Sequence, residues 1–120
     1  MSIDYDGRQF RVVANSAAGE VSEATTFDYR QRGDIVWATY AGGGIAFGTL
    51  VATVDEDGRL DMRYSHVNDL GVLMTGVCET TPELLPDGRL RLHERWRWTS
   101  ADASGSDGSE GQSTLEEVRP

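Results

Sequence analysis

The stretch LRLHERWRWTS, residues 90 to 100, sets a carboxylate among tryptophans. Alternate positions put Leu90, Leu92, Glu94, Trp96 and Trp98 on one side and Arg91, His93, Arg95 and Arg97 on the other. That is the period-two pattern of a half-buried β-strand. An inward carboxylate has to be paired, hydrogen-bonded or protonated, because burial penalises its charge. A desolvated Glu with a raised pKa suits general acid or base work, which makes Glu94 the first catalytic candidate. The plain alternative is a carboxylate tied to Tyr, Thr or Arg to organise a core. His66, two residues beyond Tyr64, is the second catalytic candidate, since an imidazole near a binding site can hydrogen-bond a ligand or shuttle protons. A solvated histidine at a strand end is the plain alternative. Trp37, Trp96 and Trp98 supply flat apolar surface for a ring or chain, and Tyr29 shares their expected face. The expected ligand-binding set is Tyr64, His66, Glu94, Trp96, Trp98, Trp37 and Tyr29, although core packing accounts for the aromatic members equally well.

Other chemistries have weaker support. Cys78 has no His or Asp nearby in sequence and reads as a buried inert thiol. His66, His93 and Cys78 are scattered, with the two histidines on opposite sides of their sheet, so no metal site is expected. AGGGIAFG, residues 41 to 48, runs into a strand without a following helix or Lys, so it is not a phosphate loop. No cofactor is implied. The outward Arg91, His93, Arg95 and Arg97 read as cross-strand charge pairs, with Arg95 opposite Glu79 and Asp61 and Arg63 one strand further on.

Composition narrows the classes of partner. The net charge of −9 argues against nucleic acid and anionic membrane surfaces, which require a basic footprint. No run approaches the roughly 20 apolar residues of a membrane helix, and the opening MSIDYDGRQF has neither the basic nor the apolar region of a signal peptide. A single cysteine allows no intrachain disulfide. A bacterial-type cytoplasmic protein is expected. At 120 residues and 38% hydrophobic, the chain suits one domain, 1–120.

The elements that must hold these side chains are short strands. Candidates run over 8–14, 24–30, 34–42, 45–55, 59–67, 72–81, 89–99 and 112–118, and only 15–24 has a pattern that suits a helical turn. QRG at 31–33, EDG at 56–58, DLG at 69–71 and PDG at 86–88 each put Gly third in a three-residue hairpin loop, and Gly43-Gly44 reads as a two-residue turn. Turn type fixes register. Val54 then faces Leu60, His66 faces Met74 and Leu84 faces Leu90. The inner face becomes Phe27, Tyr29; Ile35, Trp37, Thr39; Gly48, Leu50, Ala52, Val54; Leu60, Met62, Tyr64, His66; Met74, Gly76, Cys78, Thr80; and Leu90, Leu92, Glu94, Trp96, Trp98, with Gly76 covered by Tyr64 and Trp98.

The fold class expected is all-β: a single antiparallel up-and-down meander of about eight strands closing into a small barrel of the lipocalin or avidin kind, because closure removes both exposed edges. A flattened sandwich is the alternative. Connections at 15–23, 42–44, 68–71 and 100–111 share one rim, the expected mouth, with Tyr64, His66 and Trp98 near it and Glu94 deeper. SADASGSDGSEG at 100–111 reads as a mobile acidic loop.

LDMRYSHVNDLGVLMTGVC at 60–78, GRLRLHERWRWTS at 88–100 and FRVVANSAAGEVSEATTFDY at 10–29 resemble a family of small bacterial proteins of about this length that are labelled N-acetylglutamate synthase. The resemblance implies that Asn15, Arg63, Tyr64, Asn68, His93, Glu94, Trp96 and Trp98 lie in characteristic motifs, and it carries no catalytic role for them. An acetyltransferase of the usual N-acetyl type needs a Q/R-x-x-G-x-G/A turn leading into a helix that holds the coenzyme A pyrophosphate, and this chain has neither.

Three functions fit the residues. One is a small-molecule-binding barrel with an aromatic-lined interior, whose sign would be a continuous cavity of roughly a few hundred cubic ångströms. The second is a cofactor-independent enzyme using Glu94 or His66 as general acid or base. The third is a structural or interaction protein with a solid core, a homodimer through an outer face such as that bearing Phe47 and Val51.

Overall fold

The computed structural model describes residues 3–16, 19–100 and 109–118. Eight strands follow in chain order: β1 (Gln9–Asn15), β2 (Thr26–Arg32), β3 (Ile35–Gly42), β4 (Ile45–Val54), β5 (Leu60–Asn68), β6 (Leu73–Leu84), β7 (Leu90–Trp98) and β8 (Glu110–Glu117). Each pairs antiparallel with the next, and β1 pairs with β8, so the meander closes into a barrel. Closure leaves no unpaired edge. No helix lies among the described residues; within 15–24, the Ser22 and Thr25 side chains and backbone close a local turn instead. The acidic loop expected at 100–111 lies, over 101–108, outside the described residues.

The loops containing Gly58, Gly71 and Gly88 set the expected register: Val54 faces Leu60, His66 faces Met74 and Leu84 faces Leu90. Glu94 therefore faces Thr80 on one side and Ser113 on the other, on the inner face.

β3 departs from expectation. Its inner residues are Val36, Ala38 and Tyr40, while Ile35, Trp37 and Thr39 point outward. Trp37, expected inside as a ligand-binding residue, is 37% exposed. The cause is local. The β2–β3 connection is a two-residue turn in which Arg32 pairs with Ile35, and Gly33 at φ +59° occupies the first central position of a type II′ turn. The expected three-residue loop at 31–33 would have shifted the parity by one. The Gly43-Gly44 turn does form, but a bulge between Ile45 and Phe47 sends Ala46 and Phe47 outward in succession. The bulge restores parity, which is why β4 faces as expected although β3 does not.

The two ends of the barrel are filled differently. At the end carrying the tight β2–β3, β4–β5 and β6–β7 loops, residues 3–8 fold under the barrel. Tyr5 is wholly buried, donates to the Gly58 carbonyl at 2.5 Å and stacks on Tyr29 with centroids 5.9 Å apart. Phe10 meets Tyr29 edge-on at 4.9 Å, and Leu60, Leu90, Leu92 and Leu115 complete a dry core. Burial of one such side chain stabilises the fold by about 1.5–3 kcal/mol. The opposite end carries the candidate site.

Candidate functional site

At the other end, aromatic rings lie along the wall instead of crossing the interior. Tyr40 on β3 faces Gly48 on β4, Tyr64 on β5 faces Gly76 on β6, and Trp96 on β7 faces Gly111 on β8. A Cβ built on any of these three glycines would run into the ring opposite. The glycines are required for close approach, and their effect is to let bulky rings rest against neighbouring backbone while the centre stays open.

The centre holds a cavity of about 50 Å³. Phe27, Tyr40, Tyr64, Trp96 and Trp98 supply ring surface to it, Leu50, Met62 and Cys78 supply apolar surface, and Glu94 borders it. The volume is below the few hundred cubic ångströms anticipated for an open calyx. Tyr40 turns inward with the rest of β3, and Gly19, Glu20 and Val21 cover the mouth. The space suits a few water molecules or one compact organic group.

Glu94 is 9% exposed. Among the described residues its carboxylate accepts one hydrogen bond, from Thr80 Oγ1 to Oε2 at 3.4 Å. Among the described residues no arginine lines the cavity. Desolvation raises the Glu94 pKa from 4.5 to about 7, opposed only by the Thr80 hydroxyl, so the acid and carboxylate forms are both present at neutral pH. The burial that pushes Tyr29, Tyr40, Tyr64 and Cys78 upward keeps them protonated, and the Glu94 charge adds to each shift. Tyr29 Oη is buried without a hydrogen-bond partner among the described residues. Burial of a lone hydroxyl costs about 1–3 kcal/mol.

His66, expected near the mouth, is 2% exposed. Its Nε2 lies 2.8 Å from Glu20 Oε1 and its Nδ1 2.9 Å from the Tyr40 hydroxyl. A carboxylate only accepts, so Nε2 carries a proton toward Glu20, while Nδ1 is hydrogen-bonded to the Tyr40 hydroxyl. Both ring nitrogens are engaged. Asn68 Nδ2 donates to Glu20 Oε2 at 3.2 Å, while its Oδ1 accepts from the backbone of Leu70 and Val72. A second relay reaches the same cover from the other side. Trp96 Nε1 donates to Ser113 Oγ at 2.8 Å, Ser113 donates to Asn15 Oδ1 at 2.5 Å, and Asn15 Nδ2 donates to the Val21 carbonyl at 2.7 Å. Residues 19–21 are thus held over the cavity from both β5 and β1.

The structure gathers Glu94, Tyr64, His66, Trp96 and Trp98 around one cavity; Tyr29 lies below it and Trp37 outside the barrel. Of the residues in the resemblance motifs, Asn15 and Asn68 tie the cover, whereas Arg63 pairs with Asp61 and His93 with Glu83 on the outer face. Sequence reasoning missed Tyr40, Glu20 and Ser113. Tyr40 was hidden by the β3 turn, and Glu20 by its place in an irregular connection. Ser113 was legible as the inward partner of Glu94 once β7 and β8 were paired. Among the described residues no three His, Cys, Asp or Glu side chains stand together as metal ligands, and no helix is long and apolar enough to cross a membrane. Cys78 is buried, with its thiol pushed well above its ordinary pKa by desolvation.

A family model described as Avidin-like protein matches residues 3–118. No curated protein sequence matches the chain.

Proposed function

Because the chain belongs to the avidin-like protein family, we propose that it binds a small molecule inside the barrel, in contact with Glu94 and the rings of Tyr64, Trp96 and Trp98. The observation that carries this reading is a buried carboxylate bordering a cavity with, among the described residues, a single hydrogen bond to satisfy it. Core carboxylates that serve structure alone are paired or fully hydrogen-bonded. A ligand donor aimed at Glu94 supplies what the protein does not. The rings laid over Gly48, Gly76 and Gly111 give that ligand apolar walls, and residues 19–21 border it from above.

The test is a metabolite thermal-shift screen on the purified chain, repeated on Glu94→Leu. The expected hit raises Tm with concentration in the wild type and leaves Glu94→Leu unmoved. Hits that stabilise both proteins equally would place binding elsewhere.

A second reading has one observation in its favour. A carboxyl with a pKa of about 7 is matched to proton transfer at neutral pH, so Glu94 also suits general acid–base catalysis on a bound substrate. His66 does not suit that role equally, since both its nitrogens are already engaged by Tyr40 and Glu20. Turnover of a bound compound that disappears in Glu94→Gln, with binding retained, would select this reading. As a partner surface, the outward Ile35, Trp37, Phe47 and Val51, each 37–56% exposed, support pairing of two copies, read by sedimentation.

A further inference from the structure

We propose that the ligand is a compact organic cation with an N–H donor, an ammonium or an amidinium-type head group, held against Glu94 inside a cage of aromatic faces. The inference rests on the small-molecule reading above and narrows it to a chemical class.

The charge of the lining comes first. Among the described residues, the carboxylates bordering the cavity are Glu94 and Glu20, and no Arg borders it. Glu20 is already engaged by His66 and Asn68 at the mouth, which leaves Glu94 as the acceptor with free lone pairs. An anionic ligand would face two carboxylates and, among the described residues, no arginine. A neutral apolar ligand would leave Glu94 buried with the Thr80 hydrogen bond and no compensating charge. A ligand N–H satisfies the carboxylate, and a positive charge on that nitrogen compensates the desolvated charge as well.

Ring orientation points the same way. Tyr64 and Trp96 each rest against a glycine of the next strand and border the cavity, while Tyr40, set against Gly48, stacks on Phe27 with centroids 4.7 Å apart. Trp98 joins them at 5.5 Å from Trp96 and 5.7 Å from Tyr64, centroid to centroid. The face of an aromatic ring is its negative pole, and several faces around one point form a cage for a cation. A cavity of about 50 Å³ limits the occupant to a small head group.

The proposal has a proton signature. A cation pairs with the ionised carboxylate, so binding drives a proton off Glu94 and tightens as pH rises through about 7. The other titratable groups that sense the Glu94 charge are Tyr5, Tyr29, Tyr40, Tyr64 and Cys78, all pushed upward by burial and all still protonated at pH 8. His66 and Glu20 also border the cavity, and a Glu94 variant separates their contribution.

The probes are methylammonium and guanidinium at millimolar concentration, with methanol and urea as neutral counterparts and sodium chloride at matched ionic strength. The readout is the indole N–H resonances of Trp96 and Trp98. Methylammonium or guanidinium is expected to shift both indoles saturably, with affinity about tenfold higher at pH 8 than at pH 6, the change in ionised fraction for a carboxyl titrating at about 7. Glu94→Gln is expected to lose the cation response and the pH dependence. Thr80→Val removes the one hydrogen bond to Glu94 among the described residues, so it is expected to keep the response and move its pH midpoint upward. Neutral probes binding as tightly as cations, or an unchanged cation response in Glu94→Gln, would overturn the cation assignment while leaving small-molecule binding intact. If neither class of probe reaches the two indoles and the metabolite screen also yields no ligand, both the assignment and the reading beneath it fall.

Discussion

The two ends of the barrel use similar residues to opposite effect. At the closed end Tyr5, Phe10 and Tyr29 cross the interior and pack on one another, with leucines filling the remaining space. At the mouth end Tyr40, Tyr64 and Trp96 lie against Gly48, Gly76 and Gly111, and the interior keeps a cavity with Glu94 on its border. Aromatic content does not separate the two. What separates them is whether the residue facing each ring across the strand pair has a side chain. A glycine there turns a ring from filler into wall, and that decides where a barrel this narrow stays hollow.

Substitutions at the two ends should therefore differ in kind. The largest effect belongs to the closed end: Phe10→Ala is expected to cost about 3–5 kcal/mol in urea unfolding, because a packed interior cannot collapse onto the void. A loss under 1 kcal/mol would mean that this end is not the dry core.

Next comes the carboxylate. Unfolded, Glu94 takes up its proton near the ordinary 4.5, and folded at about 7. Below 4.5 both states are protonated and the group is neutral in its effect. As pH rises from 4.5 to 7 the unfolded chain ionises first, so stability falls, and above 7 the full penalty of about 3 kcal/mol is present. Glu94→Gln is expected to lose that slope and to be the more stable protein at pH 8, as measured by unfolding at pH 5 and pH 8. Equal slopes would contradict a desolvated carboxyl.

A smaller loss is expected for Gly48→Ala, whose methyl would push the Tyr40 ring into the cavity at about 1–3 kcal/mol. Ligand binding should weaken in the same variant. If it binds normally, the ring is not a wall of the site. The smallest effect belongs to Glu20→Gln, which weakens the tie to His66 and Asn68. It is expected to cost about 1 kcal/mol or less globally, while hydrogen exchange at Val21 to Thr25 quickens.

Legibility in the sequence followed the turns. Loops ending in Gly58, Gly71 and Gly88 are of a type that sets register, and through them the facing of β4 to β7, including Glu94 inward against Thr80, could be computed from residues alone. The connection at Gly33 carries the same glycine signal for a turn one residue shorter, and that ambiguity alone turned β3 over, taking Trp37 out of the interior and bringing Tyr40 in. The bulge at Ala46 and Phe47 has no composition of its own, so nothing in the sequence revealed it. The cover at Gly19 to Val21 was illegible for a different reason: an irregular connection has no period, and Glu20 reaches His66 across 46 residues of chain. Cavity size followed from these same two features: the residues left a hollow and a solid interior both open, and the hollow reading anticipated more than the 50 Å³ or so that the structure holds.

The central claim is that Glu94 is a buried carboxyl beside a cavity whose one hydrogen bond among the described residues comes from Thr80. Its side-chain carbon resonance, followed by NMR from pH 3 to pH 9 in the unliganded protein, tests this directly. A midpoint at about 7 is expected, moving down when a cation is added. A midpoint at the ordinary 4.5 would show a carboxylate already satisfied by the protein, and the cavity would then have no claim to be a binding site.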